Sequence, residues 1–266
     1  MYMLIKAREL GLFARVIEKG SDVGGTWYWN RYPGARCDIE SMEYSYQFSD
    51  ELQREWEWTE RYAAQPEILA YLNHVADRFD LRRDIRFDTC VTTAQFDEEA
   101  MLWRVETDRN EKYTATFMVA ATGCLSVPFK PDFKGQGDYR GRVLHTGEWP
   151  HEGVDFTGQR VALIGTGSSG IQAAPLIAEQ ADHLTVFQRT PAYSVPAQNR
   201  PIEPDVQASI KADYAEFRAR NKQQLAGYGS GHGLNEKSVF DDPPEVREAT
   251  FEEYWEQGGL LVLRAY

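Results

Sequence analysis

Residues 165–170 read Gly-Thr-Gly-Ser-Ser-Gly, between an apolar run at 160–164 and a helix-forming segment at 171–180. Strand, glycine-rich turn and helix in that order constrain the chain more than any other feature, because they are the phosphate-binding unit of an α/β dinucleotide fold. Gly165 permits the tight turn, Gly167 lets the backbone approach a pyrophosphate, and Gly170 allows the helix to pack closely. The helix N-terminus then offers amide donors and the positive end of its dipole to the phosphates. Thr166, Ser168, Ser169 and Ile171 complete the candidate cofactor-binding turn. An NAD-binding protein places an acid at the end of the following strand, expected over 184–188, to hold the ribose hydroxyls. Here Gln188, Arg189 and Thr190 stand at that point. A guanidinium pairs bidentately with a 2′-phosphate and a threonine hydroxyl adds a bond, so Arg189 and Thr190 favour NADPH.

Laying the strand at 184–188 over residues 14–18 gives an offset that puts the counterpart of Gly170 immediately before Met1. Residues 1–10 are helix-forming but lack a capping residue, Gly11 ends them, and 12–17 form an apolar, strand-like run. The expectation is a first βαβ unit whose strand and glycine loop lie upstream of Met1, with Glu18 as its ribose-binding acid. Two dinucleotides are implied, and the fold class expected is α/β with two Rossmann-like domains.

Between the two units, residues 24–38 have no periodicity and predict a long ordered loop. Pro66 opens a helix with one apolar face. Strands are expected at 85–87, 91–96, 102–107 and 113–121, with a hairpin turn at 97–100, forming a small β insertion that returns to the main sheet. Beyond 201 the composition turns polar and helix-rich around a flexible, glycine-rich 227–233, a helical insertion. The division expected is a partial FAD-binding domain at 1–138, a linker at 139–158, the first part of an NADPH-binding domain at 159–200 and a truncated helical insertion at 201–266.

A net charge of −12 without a Lys/Arg stripe argues against a nucleic-acid partner. Cys37, Cys90 and Cys124 are odd in number and lack CxxC spacing, which argues against a disulfide framework and a metal site. No apolar run reaches the about 18 residues of a membrane span, and no signal-peptide pattern opens the chain. A cytoplasmic protein is expected. Nothing in the sequence sets its oligomeric state.

Two stretches narrow the reading to one family. Residues 24–38 contain G-G-x-W-x-x-x-x-Y-P-G-x-x-x-D, and residues 139–150, YRGRVLHTGEWP, closely resemble the F-x-G-x-x-x-H-T-x-x-W-P fingerprint of Baeyer–Villiger monooxygenases. The second precedes the glycine loop by that family's spacing, and residues 188–191 resemble its 2′-phosphate segment. The likeness spans nearly the whole chain and is nearest to the cyclohexanone and phenylacetone monooxygenase branch. Tyr139 departs from the pattern, which has Phe there, a mild change.

The resemblance implies FAD and NADPH as cofactors and the insertion of one oxygen atom of O2 into a ketone, giving an ester or lactone. It also implies that Thr26, Trp27, Trp29, Arg36, Asp38 and Tyr44 contact the flavin dinucleotide, with the Val91 backbone near its adenine. Asp38 would orient a catalytic arginine that this chain does not contain. His145 and Trp149 would serve the linker as hinge and packing residues rather than in the chemistry. Other two-dinucleotide flavin monooxygenases, oxygenating sulfur or nitrogen, share the glycine loops. A chain that only binds nucleotide, without activity of its own, is a further alternative.

Overall fold

Two short parallel strand pairs and one antiparallel meander carry the sheet structure of the computed structural model, which describes residues 1–224, 226–229 and 237–266. In chain order the elements begin with α1 (Tyr2–Glu9), β1 (Val16–Ile17), α2 (Thr26–Trp29), α3 (Asp50–Glu55) and α4 (Gln65–Arg78). Strands β2 (Ile85–Arg86), β3 (Val91–Asp97), β4 (Leu102–Thr107) and β5 (Lys112–Ala115) follow. Then come β6 (Arg160–Ile164), α5 (Ser168–Ala178), β7 (His183–Phe187), α6 (Pro204–Ala212), α7 (Tyr214–Gln223) and α8 (Pro244–Gln257).

The chain divides into two compact units, Met1–Tyr32 with Ile68–Val154, and Pro33–Glu67 with Asp155–Tyr266. Segment 33–67 thus groups by contact with residues far downstream of it, an interleaving that a linear division at 138 and 158 does not contain.

In the first unit α1 has no side-chain cap at its start and stops because Gly11 takes φ +70. There the Gly11 N–H donates to the Arg8 carbonyl and the Leu12 N–H to the Ala7 carbonyl, closing the helix as a Schellman motif. Arg8 then fastens α1 to the segment after α4, donating to Asp84 at 2.6 Å and to the Phe79 carbonyl at 2.7 Å. Ile68, Val75 and Ala76 of α4, with Leu4 and Leu81, make the buried apolar set. Of the strand expected over 12–17 only Val16 and Ile17 pair, in parallel with Ile85 and Arg86, while Leu12 and Phe13 stay exposed. A strand extends only as far as its ladder partner, and β2 supplies two residues.

The meander has the order β3-β4-β5, closed at one end by Asp97, whose Oδ1 accepts the Ala100 N–H at 3.0 Å, and at the other by Asn110 at φ +60. Its last strand ends at Ala115, not near 121, and the meander forms a sheet of its own. Among the described residues 116–121 find no ladder partner, and Phe117 and Val119 are exposed. The loop expected over 24–38 contains the single-turn helix α2, whose four residues are too few for periodicity to reveal.

In the second unit β6 and β7 pair in parallel with α5 between them, from Arg160↔His183 to Ile164↔Phe187. Helix α5 begins at Ser168, three residues before the expected start, so two serines of the glycine loop are already helical. The polar segment expected over 205–224 breaks at Asp213, whose carboxylate caps α7 by accepting the Glu216 N–H at 2.9 Å. Proline opens α6 and α8 at their first turns, where its missing N–H is not needed. Of the expected flexible stretch 227–233, residues 230–233 lie outside those described. The segment 33–67 is stitched in by Gln207, which accepts from the Trp58 N–H at 2.9 Å, and by Arg218, which donates to Ser45, Gln53 and the Glu43 carbonyl. Among the described residues no helix is long and apolar enough to cross a membrane.

Candidate functional site

The glycine loop connects β6 to α5, and its three glycines differ in what the structure asks of them. Gly165 takes φ +103, and its N–H donates to the Phe187 carbonyl at 2.9 Å, tying the turn to the end of β7. A Cβ added to Gly170 would stand 2.4 Å from the Gly165 carbonyl oxygen, so this glycine lets the helix press on its own loop. Gly167 is different. It lies at φ −73 as the residue before the helix, and an added Cβ would meet nothing within 4 Å. Packing among the described residues therefore does not require a glycine there. No side chain caps α5 and no acid stands in its first turn, which leaves the helix start without an acidic side chain of its own. Gln188 steadies the turn by donating to Thr166 Oγ1 at 2.9 Å. Arg189 and Thr190, just past β7, are exposed.

Also in the second unit, residues 33–38 dock on α5. Gly34 takes φ +77, and an added Cβ would lie 2.3 Å from the Gln172 backbone oxygen. The Gln172 side chain accepts the Arg36 N–H at 3.3 Å and donates to the Arg36 carbonyl at 3.2 Å and to Asp38 Oδ1 at 3.2 Å. The Arg36 guanidinium turns the other way, donating to Glu60 at 2.7 Å and to the Tyr62 carbonyl at 2.6 Å. Asp38 and Tyr44 are exposed, whereas Cys37, next to Asp38, is buried. Burial, reinforced by the Asp38 charge, pushes the Cys37 thiol up to about 11 against the pull of the Ile39 and Asp38 amides, so it stays protonated and unreactive. Gln172 was not among the residues singled out from sequence. A glutamine in the second turn of a helix has no motif, and its contact with Arg36 spans 136 positions.

In the first unit Glu18 follows β1, and its Oε1 accepts the Gly20 N–H at 2.7 Å. Gly24, at φ +129 with an added Cβ 2.6 Å from Leu69, leads into α2. That helix leaves Thr26 exposed and Trp27 and Trp29 half-buried, and it buries Tyr28, whose hydroxyl lies 2.7 Å from Ser21 Oγ. Lys19 lies over the Trp29 ring at 5.7 Å, and His151 meets Tyr28 edge-on at 5.0 Å. Sequence reasoning missed His151, which sits next to the fingerprint but outside it. Val91 opens β3 opposite Thr107.

Within the fingerprint, His145 Nδ1 accepts the Gly147 N–H at 3.1 Å and Nε2 lies 3.2 Å from the Phe129 carbonyl. Those partners put the ring proton on Nε2 and use both nitrogens in holding the backbone. Trp149 is buried, and Glu148 pairs with Lys130. Gly141 is covered by the Tyr139 ring, whose hydroxyl would be 2.4 Å from an added Cβ.

A family model described as pyridine nucleotide-disulphide oxidoreductase matches residues 1–229. The chain belongs to that family. Within this oxidoreductase family it is 46% identical, over 97% of its length and 47% of the relative's, to a Baeyer–Villiger monooxygenase of Pseudooceanicola batsensis. A phenazine N-monooxygenase of Lysobacter antibioticus is 41% identical over 97% of this chain and 47% of its own. Among solved structures, an oxidized steroid monooxygenase bound to NADP superposes with a TM-score of 0.92 at 54% identity, covering all of this chain and 50% of that one. The likeness to Baeyer–Villiger monooxygenases read from residues 24–38 and 139–150 is shown, as is the α/β dinucleotide-binding fold. The chain spans about half the length of the curated relatives it matches.

Proposed function

We propose that this chain is the nucleotide-binding half of an FAD- and NADPH-dependent monooxygenase that inserts one oxygen atom of O2 into a ketone to give an ester or lactone. The observation that carries the reading is the Baeyer–Villiger fingerprint of residues 139–150 in a chain whose glycine loop presents an open Gly167 before an uncapped helix. The two-domain reading belongs to the same proposal, with FAD assigned to 1–138, NADPH to 159–200, a linker at 139–158 and a helical insertion at 201–266.

The residues fit the phosphates they would meet. Gly165, Thr166, Gly167, Ser168, Ser169, Gly170 and Ile171 hold the NADPH pyrophosphate on α5, and Arg189 with Thr190 holds the 2′-phosphate. Glu18 uses one carboxylate oxygen within the chain, and its carboxylate would hold the FAD ribose. Thr26, Trp27, Trp29, Arg36, Asp38, Tyr44 and the Val91 backbone are the remaining FAD contacts, Arg36 with its cation also paired to Glu60. When bound, FAD would accept hydride from NADPH and activate O2. The tryptophans exclude water from that chemistry, and the Asp38 carboxylate orients positive charge beside it. His145 serves as a hinge, since both its ring nitrogens hold backbone. A cytoplasmic location belongs to the same proposal.

The test is product analysis with the full-length protein, NADPH, O2 and either a ketone or a sulfide. Ester from the ketone supports the reading; oxygenation of the heteroatom alone overturns it. A second reading, N-oxygenation, is favoured by one observation, the 41% identity to a phenazine N-monooxygenase, and a phenazine offered in the same assay decides it.

A further inference from the structure

Gln172 lies in the second turn of α5 and has no part in the proposed function as stated, yet it holds the loop that carries Asp38 in two ways. Its main-chain carbonyl receives Gly34, where only a residue without a Cβ fits, and its carboxamide makes three bonds. A glutamine side chain has one acceptor oxygen and two N–H donors. The oxygen and one donor read the amide and carbonyl of Arg36; the other donor meets the Asp38 carboxylate. Gln207 shows what docking alone requires, for it makes the same two-point contact with the Trp58 backbone and is buried with it. Gln172 does more, because its third contact is to an exposed carboxylate that the backbone does not need held.

We propose that Gln172 is a positioning residue that fixes the Asp38 carboxylate to the helix receiving the NADPH pyrophosphate, so that nucleotide on the glycine loop and the carboxylate beside the flavin keep one geometry. The inference rests on the proposed function and deepens it. No other common side chain substitutes. Glutamate lacks the donors and sets like charge against Asp38, leucine keeps the volume without any bond, and asparagine is a methylene too short.

The experiment uses the full-length protein with flavin bound and the variants Gln172→Leu, Gln172→Asn and Gln172→Glu, each also combined with Asp38→Asn. Three quantities are read: NADP+ affinity, the rate at which saturating NADPH bleaches the flavin anaerobically, and amide exchange of residues 33–38 with and without NADP+. The leucine and asparagine variants are expected to exchange the Arg36 amide faster, because its acceptor is gone in the one and out of reach in the other, and to lose the added protection NADP+ confers on wild type. Their bleaching slows about tenfold while NADP+ affinity stays within about twofold. The glutamate variant slows about a hundredfold. Its excess over leucine vanishes beside Asp38→Asn, since the like charge is then absent. Glutamate equal to leucine with Asp38 in place, or either neutral variant bleaching at the wild-type rate, overturns the proposal. Should the glutamate variant fail to fold, leucine and asparagine decide alone. Wild-type protein that holds no flavin overturns the functional reading and this inference with it, an outcome distinct from the other two.

Discussion

Gly167→Ala separates what the glycine loop does for the fold from what it does for a ligand. At φ −73 and ψ −178 the main chain is in a conformation open to any residue, and the new methyl group would have no neighbour within 4 Å. Two small terms act on stability. Alanine narrows the unfolded ensemble, a gain of about 0.4–1 kcal/mol. It is also a poorer helix N-cap than glycine, a loss of about the same size. The folded protein should therefore melt within roughly 2 °C of wild type. Binding behaves differently, because the methyl occupies the space through which a pyrophosphate reaches the first amides of α5. Each amide-to-phosphate bond lost costs about 1.5–3 kcal/mol, so NADP+ affinity should fall at least about tenfold for one bond and a hundredfold or more for two. Differential scanning calorimetry and isothermal titration with NADP+ on the same preparation measure both quantities. An alanine variant with unchanged melting and unchanged affinity refutes the placement of the phosphates; one that unfolds refutes the claim that the chain leaves this position open.

Arg189→Ala should reduce the preference for NADPH over NADH by about ten- to hundredfold with the affinity for NADH unchanged, read from steady-state kinetics with both nucleotides. Gly34→Ala combines a left-handed φ of +77 with a backbone oxygen 2.3 Å from the new Cβ, a contact no rotamer relieves. A destabilisation of about 2–5 kcal/mol follows, visible as a thermal midpoint lower by roughly 10 °C. Burial alone would raise the Glu60 carboxyl, but hydrogen bonds from Arg36 and Asn199 hold it below the ordinary 4.5. The folded state then binds that proton more weakly than the unfolded chain, so the stabilisation is fully present above 4.5 and is lost as the pH falls below it through the lower folded value. Glu60→Gln should flatten the fall of melting temperature below pH 4.5 and leave it unchanged above, and an unchanged acid slope would count against the pairing. Tyr28→Phe removes the hydroxyl at Ser21 and should cost about 1 kcal/mol in chemical denaturation, leaving the ring contact with His151 intact.

What could be read from the sequence was local. The run from Arg160 to Phe187 declared itself because strand, turn and helix follow one another, and Gly170 meets the Gly165 carbonyl only five residues back. The Schellman stop at Gly11 and the hairpin at Asp97 were legible on the same grounds. Failures came where a residue's state depends on a distant partner. Nothing in residues 113–121 says that the ladder ends at Ala115, since that is decided by the length of β4 available to pair. Leu12 and Phe13 look like strand and are exposed because β2 is two residues long. In the candidate site the same rule holds. Motif residues such as Glu18 and Asp38 could be named in advance, while the glutamine bound to Asp38 lies 134 positions away and belongs to no pattern.

The grouping of Pro33–Glu67 with Asp155–Tyr266 also orders events during synthesis. Residues 33–67 leave the ribosome well before their partners exist, among them Leu52 and Trp58, which end up at 0% and 3% exposure. At about 5–20 residues per second they wait several seconds or more with that surface uncovered. The first unit can close around its own helix and meander meanwhile, with this segment looped out between two of its parts. A nascent-chain release assay, arrested before and after residue 224, should therefore find the aromatic segment open to protease or chaperone in the shorter chain and shielded in the longer one.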